Sequence, residues 1–565
     1  MFIRKLTIER FRRIERLEWT PTRGLNCLVG PGDSGKTTLL NAIALLLDPR
    51  APTQSSEYDY HQRKVEAGFH IEAVLGGVEE AVKGERVANL QGWKDGSITP
   101  IPEGDAESVL VVHVDGTKDL DIEHTLSTSS GDRVAFSSSL RRALLLARVS
   151  GGDRASTELR LGRGSLLERA VGAEGMRAQL ADAFAKAAVA LNVPEQTQKE
   201  LGVLAESFAR SGLPRDLGLS FLSPPGQSAI GMVGLTTGRG DASIPFAFSG
   251  QGTRQLALFT IASALMGDAP VIVIDEPEAG LEPYRQRAQV RELRRLAGTN
   301  GQVFMTTHSA ATLSALEDRE VWRLVGDASS PTSLDFPDAS YFRRGEALLS
   351  RLPILCEGDT EFGFLPRLLS DVAQTSGIEN IDALGLGFVR MHGQPSMFAP
   401  AKALLSRGIR IAVFADNEER HAGRRNELRT HALCAYGTWD GACDIEDAIA
   451  RFMPWDKLAA IVELAAAETG RNVESIHQQI GEKAARKGKA DLDQLKADIG
   501  EDATRRALAA AMGSEVLVAD DDRRRGWFKT VESGRALGAK LLDLGLPPEI
   551  KRVIDVFWAE VQKQL

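Results

Sequence analysis

Apolar positions along the chain alternate between two periods, and the switches mark its elements. Leu6 and Ile8, then Leu17 and Trp19, alternate with charged neighbours, which predicts two paired strands. Residues 25–29 form a largely apolar run that ends at Gly30 and reads as a buried strand. Leu39, Leu40, Ile43, Leu46 and Leu47 then recur at helical spacing, one apolar stripe for a helix packed on that sheet. Short apolar runs at 271–274, 303–305, 354–356 and 411–414 predict further buried strands, the last preceded by a helix around Leu404 and Leu405. Between 140 and 212, Met176, Leu180, Phe184 and Leu191, a break at Asn192-Val193-Pro194, and Leu201, Leu204 and Phe208 predict a helical hairpin, which either covers its own sheet or makes a dimer contact. Residues 327–337 read as a Ser/Pro linker, and the tail from 454 onward is helical in spacing.

Length changes this picture first: 565 residues exceed one hydrophobic core, so the α/β elements belong to several domains. Composition is ordinary for a globular chain, with 43% hydrophobic and 26% charged residues. The 68 Lys and Arg against 77 Asp and Glu leave a net charge of −9, so bulk positive charge is excluded as a means of holding nucleic acid. Any such grip is local, and Arg424-Arg425, residues 483–489 with Arg486 and Lys487, and Arg523-Arg524-Arg525 are the basic clusters that offer it. Cys27, Cys356, Cys434 and Cys443 contain no C-x-x-C pair, which excludes a zinc knuckle or disulfide framework and fits a reducing cytoplasm. Neither a membrane span nor a targeting segment is expected.

Gly30-Pro31-Gly32-Asp33-Ser34-Gly35-Lys36-Thr37, followed by Thr38, matches the G-x-x-x-x-G-K-[ST] phosphate loop and sits between a predicted strand and helix. Backbone N–H groups of Gly30, Gly32, Ser34 and Gly35 would wrap phosphates of ATP, Lys36 would meet the β/γ oxygens, and Thr37 would ligate Mg²⁺. The 271–274 run ends in Asp275 and Glu276, placed for an Mg²⁺ ligand and a carboxylate that positions water. Around these, Phe248-Ser249-Gly250-Gln251-Gly252 resembles the signature motif of the ABC ATPases, and Thr307-His308-Ser309 resembles their switch histidine. That resemblance implies that Ser249 and Gly250 contact ATP held by a second copy, that His308 is catalytic, and that residues 278–283 cross the interface of a homodimer or higher oligomer. Residues 6–12 resemble the opening strands of the SMC/RecF branch, whose members act on DNA. Gln54 and Gln62 are the two candidates for the glutamine loop, and Gly32 replaces the usual asparagine of the phosphate loop.

A second set of carboxylates follows. The 354–356 run ends in Glu357-Gly358-Asp359-Thr360-Glu361, with Glu361 one helical turn beyond Glu357. The 411–414 run leads to Asp416-Asn417-Glu418-Glu419, where a period of two puts Asp416 and Glu418 on one side, and Glu446 lies in a third acidic cluster. Carboxylates gathered this way repel unless divalent cations, Mg²⁺ or Mn²⁺, sit among them, and two such ions would stabilise both oxygens of a phosphodiester displacement.

The order of these acidic residues resembles the Toprim domain, with Glu418 where that pattern has a second aspartate. An ABC ATPase with a helical insert, followed by a Toprim unit, resembles the OLD (overcoming lysogenisation defect) family of ATP-dependent nucleases over nearly the whole chain. The fold expected is α/β: an ABC-type P-loop ATPase (1–139 and 216–340) with a helical dimerisation insert (140–215), then a Toprim core (341–452) and a C-terminal helical part (453–565). The resemblance implies a lysine that assists the metals, Lys529 in Trp527-Phe528-Lys529 first and Lys540 in reserve. It also implies antiphage defence, in some members with a helicase-like partner. The competing reading is an SMC/RecF-like, ATP-driven DNA clamp whose Toprim unit is degenerate. Topoisomerase and primase are disfavoured, the first because the second half offers only Tyr341 and Tyr436 without a strand-passage domain, the second for want of a zinc-binding cysteine set.

Overall fold

The computed structural model describes residues 1–79, 82, 89–144, 146–149, 158–161, 165–171, 235–237, 244–265, 271–298, 301–324, 330–335, 348–486, 490–514, 516–518 and 521–565, with single positions between 179 and 199. The chain divides into two compact units: Met1–Leu28 with Gly35–Ala315 and Asp327–Ser330, and Val29–Ser34 with Leu316–Gly326 and Pro331–Leu565.

In the first unit, β1 (Phe2–Phe11) and β2 (Ile14–Trp19) form the expected hairpin, with Leu6 opposite Trp19 and Ile8 opposite Leu17, all four buried. Beyond β3 (Gly24–Val29) come β4 (Phe69–Gly76), β5 (Gln91–Lys94), β6 (Ser97–Thr99), β7 (Glu107–Gly116), β8 (Ile122–Ser127) and β9 (Arg133–Ala135). They build an antiparallel sheet in the order β2-β1-β4-β7-β5-β6, with β8 on β7 and β9 on β8. A parallel sheet holds β10 (Leu146–Val149), β13 (Val271–Ile274), β14 (Gln302–Thr306) and β3 in that order, and β11 (Thr236–Thr237) pairs with β12 (Ile244–Pro245). The buried amide of Gln302 joins the sheets: it accepts from Ile3 N at 2.8 Å and donates to Thr22 O at 2.8 Å.

Two expectations are corrected here. The helix Lys36–Leu47 touches β10, β13 and β14 and also β4 and β7, so it is buried between both sheets rather than along one stripe, and Ala42 and Ala44 are as buried as the leucines. The boundary at 139/140 falls too early, because 146–149 pair in parallel with β13 and belong to the parallel sheet that holds β3. The hairpin positions Met176, Leu180, Phe184, Leu191, Leu201, Leu204 and Phe208 lie outside the described residues.

In the second unit, β15 (Val321–Arg323) pairs antiparallel with β16 (Thr332–Ser333), so part of the expected linker is a strand. The central sheet is parallel in the order β18 (Leu386–Arg390), β17 (Leu352–Cys356), β19 (Ile411–Ala415), β20 (Cys434–Thr438). Its middle strands, β17 and β19, are buried throughout, which is why they read as unbroken apolar runs. The helices Asp359–Thr375, Gln394–Ser406, Ala422–Arg429 and Ile445–Phe452 follow the four strand ends.

The tail is helical as expected except for the hairpin of β21 (Val516–Val518) and β22 (Asp521–Arg525), which carries Arg523-Arg524-Arg525. It is no separate domain: Leu537, Leu541, Ile554, Phe557 and Trp558 share one core with Phe364, Leu368 and Phe414. The helix Val531–Leu544 crosses Asp359–Thr375 through glycines, since a Cβ at Gly363 would lie 2.4 Å from Val531 O and one at Gly534 2.6 Å from Thr360 O. This close approach lets Thr360 Oγ1 donate to Phe528 O at 2.9 Å and delivers Lys529 to the first helix. Gly534→Ala is therefore expected to destabilise the chain by about 1–3 kcal/mol, as overpacking does. Denaturant unfolding followed by tryptophan fluorescence checks this, and an unchanged midpoint would mean that the crossing relaxes freely.

Candidate active sites

The phosphate loop leaves β3 at Gly30, whose φ of 144° and a Cβ position 2.2 Å from Leu324 O admit glycine alone. Lys36 and Ser34 are buried, while Thr37 is exposed at the helix start, its Oγ1 3.5 Å from Asp275 Oδ1. Thr306, at the end of β14, ties the acidic pair together: it donates to Asp275 Oδ1 at 2.5 Å and accepts from Glu276 N at 3.0 Å. Glu276 has a φ of 47°, a left-handed bend costly for a side-chain-bearing residue, and it leaves the carboxylate 54% exposed. His308 Nε2 stands 3.7 Å from Glu276 Oε1.

Glu278, read in sequence only as part of an interface segment, has a structural part of its own. Its Oε1 accepts from Thr307 Oγ1 at 2.7 Å and His308 N at 2.8 Å, fixing the loop that bears His308. Burial raises its pKa against those two bonds. Ser249 and Gly250 lie just before the helix Gln251–Leu265, beside Phe248, which is 77% exposed. Gln54 bridges to Asp121 and Gln62 sits in a short 3₁₀ turn; both are exposed, and neither is hydrogen-bonded to Asp275, Glu276 or His308. Gly32 is exposed, with nothing within 4 Å of a Cβ there, and Thr38 is half-buried.

In the second unit, the ends of β17 and β19 bring carboxylates together. Asp416 N donates to Glu357 Oε2 at 2.8 Å, and Gly358 N donates to Glu361 Oε2 at 3.0 Å. Lys529 Nζ stands 2.6 Å from Glu446 Oε1. Of the third acidic cluster only Glu446 enters the group: Asp444 caps its helix, and Asp447 binds Arg451 at 2.7 Å. Asp416 Oδ1 and Glu446 Oε2 are buried without a hydrogen-bond partner.

Burial pushes the Glu361 carboxyl up to about 7, with Glu446 and Glu357 adding to the rise and Lys529 opposing it. Burial also raises Asp416, helped by Glu361, Glu357 and Glu446, and it raises Glu357 too, partly offset by the Asp416 N–H and Gln394. Burial works against the Lys529 ammonium, yet Glu446, Glu361 and Asp416 hold it charged well above the ordinary lysine value.

One expectation fails in detail. The strand ends at Ala415, so the period of two does not carry through to Glu418, which caps a 3₁₀ turn and pairs with Arg420 at 2.7 Å. It reaches Glu357 only through its charge. Lys540 lies well inside the helix Val531–Leu544, and the lysine paired with Glu446 is Lys529. Sequence reading overlooked Gln394, whose Nε2 donates to Asp416 O at 2.8 Å; its only signal was the Gly393-Gln394-Pro395 helix start. Arg425, from a basic cluster, donates to the same carbonyl at 3.1 Å. Arg486 of the second cluster pairs with Asp498 at 2.7 Å.

Residues 5–138 match the family model "AAA domain", residues 131–314 match "AAA domain, putative AbiEii toxin, Type IV TA system", and residues 348–417 match "Overcoming lysogenization defect protein-like, TOPRIM domain". The chain thus carries AAA ATPase domains followed by an OLD-like Toprim domain. Its fold is α/β, an AAA-type ATPase part followed by a Toprim domain with added helices. The DNA replication and repair protein RecF of Proteus mirabilis (strain HI4320) is 31% identical over 111 residues, 19% of this chain. The chain thus spans 30% of the length of that curated relative, and the same holds for RecF described from Proteus mirabilis without a strain. Among solved structures, an SMC head bound to the C-winged helix domain of ScpA is 13% identical, with 60% of this chain and 99% of that one covered and a TM-score of 0.37. The SMC head domain from Thermotoga maritima is 14% identical, with 60% and 100% covered and a TM-score of 0.28. No described helix is long and apolar enough to cross a membrane.

The raised Glu361 carboxyl has a thermodynamic sign. The folded chain holds that proton more tightly than the unfolded one, so the associated stability is full below the ordinary glutamate pKa and is lost as pH rises through about 7. In EDTA, the melting temperature of the protein should fall across that window, and Glu361→Gln should flatten the fall. Identical melting profiles for the two proteins would contradict the assignment.

Proposed function

We propose that this protein is an ATP-hydrolysing, divalent-metal-dependent DNA endonuclease or nickase that works as a homodimer or higher oligomer, in phage defence. The observation that carries the nuclease reading is the convergence of Glu357, Glu361, Asp416 and Glu446 around Lys529, with buried oxygens of Asp416 and Glu446 left without hydrogen bonds. An all-oxygen donor set of this kind fits Mg²⁺ or Mn²⁺, and Glu357, Asp416, Glu361 and Glu446 are the residues to hold two such ions. Bound there, the ions supply an activated water and charge stabilisation at the scissile phosphate. Lys529 offers a fixed positive charge to a phosphate oxygen, and Gln394 and Arg425 hold the Asp416 backbone in place. Glu418, with Arg420, stands at the rim.

In the ATPase half, Lys36 and the loop amides bind the phosphates of ATP, Thr37 and Asp275 take its Mg²⁺, Glu276 orients the attacking water, and His308 stands beside it. Ser249 and Gly250 complete the site of a second copy. ATP state would then govern the pairing of two chains and, through it, access of DNA to the carboxylates. A cytoplasmic location and a helicase-like partner belong to the same reading.

Cleavage of supercoiled plasmid tests it. With Mg²⁺ or Mn²⁺ the protein should nick or cut, EDTA should abolish this, and Glu357→Ala or Asp416→Ala should slow it on the order of 100-fold or more while ATP turnover persists. Lys36→Ala should do the reverse to ATP turnover. The second reading, an ATP-driven clamp with a degenerate Toprim unit, draws on Glu418 standing apart with Arg420. Plasmid that stays intact with either ion, bound in an ATP-dependent way, would favour the clamp.

A further inference from the structure

The antiparallel sheet of the first unit carries a cluster that neither ATP hydrolysis nor phosphodiester cleavage uses. We propose that His70, Glu72 and His113 form a binding site for a divalent transition metal, zinc foremost. His70 and Glu72 lie two apart on β4, and the register sets His113 of β7 opposite Glu72 and Asp115 opposite His70, so all four side chains share one face. The imidazoles of His70 and His113 stack with centroids 5.5 Å apart. Glu72 Oε2 lies 3.4 Å from His113 Nδ1 and 4.0 Å from His70 Nε2, and one ligand atom from each of the three residues falls within 4.8 Å of the others. Ligand atoms around tetrahedral zinc stand about 3.3 Å apart, so small side-chain rotations close the set.

The nitrogens facing away from Glu72 are anchored. His70 Nδ1 is 2.6 Å from Asp115 Oδ1, and His113 Nε2 is 2.7 Å from Ser127 Oγ. Ligand histidines are held in this way, by a carboxylate or hydroxyl on the far nitrogen that fixes ring orientation and tautomer. Two imidazoles and one carboxylate select a borderline metal such as zinc or cobalt over Mg²⁺ or Ca²⁺. Three protein ligands leave one position for water, and occupancy would pin β4 to β7.

The neighbouring charges set a sign. Arg133, on the short strand β9, donates to Asp115 Oδ2 at 2.8 Å, and its other nitrogen is 3.5 Å from His113 Nδ1. Its guanidinium therefore competes with a cation for this face. Lys5 also acts on Glu72, though its own ammonium pairs with Glu18 at 3.1 Å.

The test uses the full-length chain, stripped with chelator and titrated with Co²⁺ in excess Mg²⁺, which keeps the oxygen-donor sites filled. About one Co²⁺ per chain should bind with the visible absorption of nitrogen-ligated cobalt, and Zn²⁺ should displace it. His70→Ala and His113→Ala should remove that signal, Glu72→Gln should weaken binding about 10-fold or more, Arg133→Gln should tighten it, and Glu357→Ala should leave it intact. Glu72→Gln, a near-isosteric change, decides the matter if a histidine variant fails to fold. An unchanged signal in the folded His113→Ala or Glu72→Gln protein, a signal lost in Glu357→Ala, or no cobalt absorption at all would overturn the proposal.

Discussion

Four carboxylates, Glu361 and Glu446 buried and Glu357 and Asp416 half-buried, gather around one ammonium and set the terms for the second unit. Each of Glu357, Glu361, Asp416 and Glu446 loses hydration on burial and repels its neighbours, and one Lys529 offsets only part of that. Left to local forces such a group would spread into solvent. It stays together because the strand ends and the glycine-lined helix crossing are fixed by the apolar core around Phe364, Phe414 and Phe557. The tail is thus a working part of the carboxylate centre: the crossing at Gly363 and Gly534, with the buried Trp527 and Phe528, holds Lys529 beside Glu446.

A related device serves the first unit. Parallel strands end on one side of their sheet, and the turns that follow present backbone N–H groups and short side chains there. From that edge come Asp275 and Glu276 after β13 and Thr306 to His308 at and after β14, with Thr37 opening the helix that follows the loop after β3. Thr306 shows how economical the arrangement is, since one hydroxyl orients Asp275 while accepting the N–H of the strained Glu276. The second unit repeats the logic, with Glu357 after β17 and Asp416 after β19, adjacent parallel strands.

Much of this was open to reading from the chain itself, and what escaped it did so for physical reasons. Apolar runs such as Val271–Ile274 declare a buried strand because burial on both faces leaves no polar position. The helix Lys36–Leu47 was harder, as Ala42 and Ala44 widen its buried surface on either side of the leucine stripe, and alanines carry little hydrophobic signal. The strand Leu146–Val149 was absorbed into a helical stretch, being four residues long and beside helical neighbours. Glu418 was misplaced because alternation holds only while the strand lasts, and the end of β19 at Ala415 is set by the turn beyond it.

Local chemistry in the sequence by itself determined the phosphate loop, the acidic strand ends, the order of the two α/β units and the residue types that face each site, because spacing and covalent order carry that information without distant partners. Tertiary structure alone decided which lysine meets Glu446, that Gln394 and Arg425 brace Asp416, that Glu278 holds the His308 loop, and that two histidines and a glutamate face one another across β4 and β7. Most of those pairings join residues tens of positions apart, or strands whose register is set by the whole sheet, and only the packed core brings them within bonding distance.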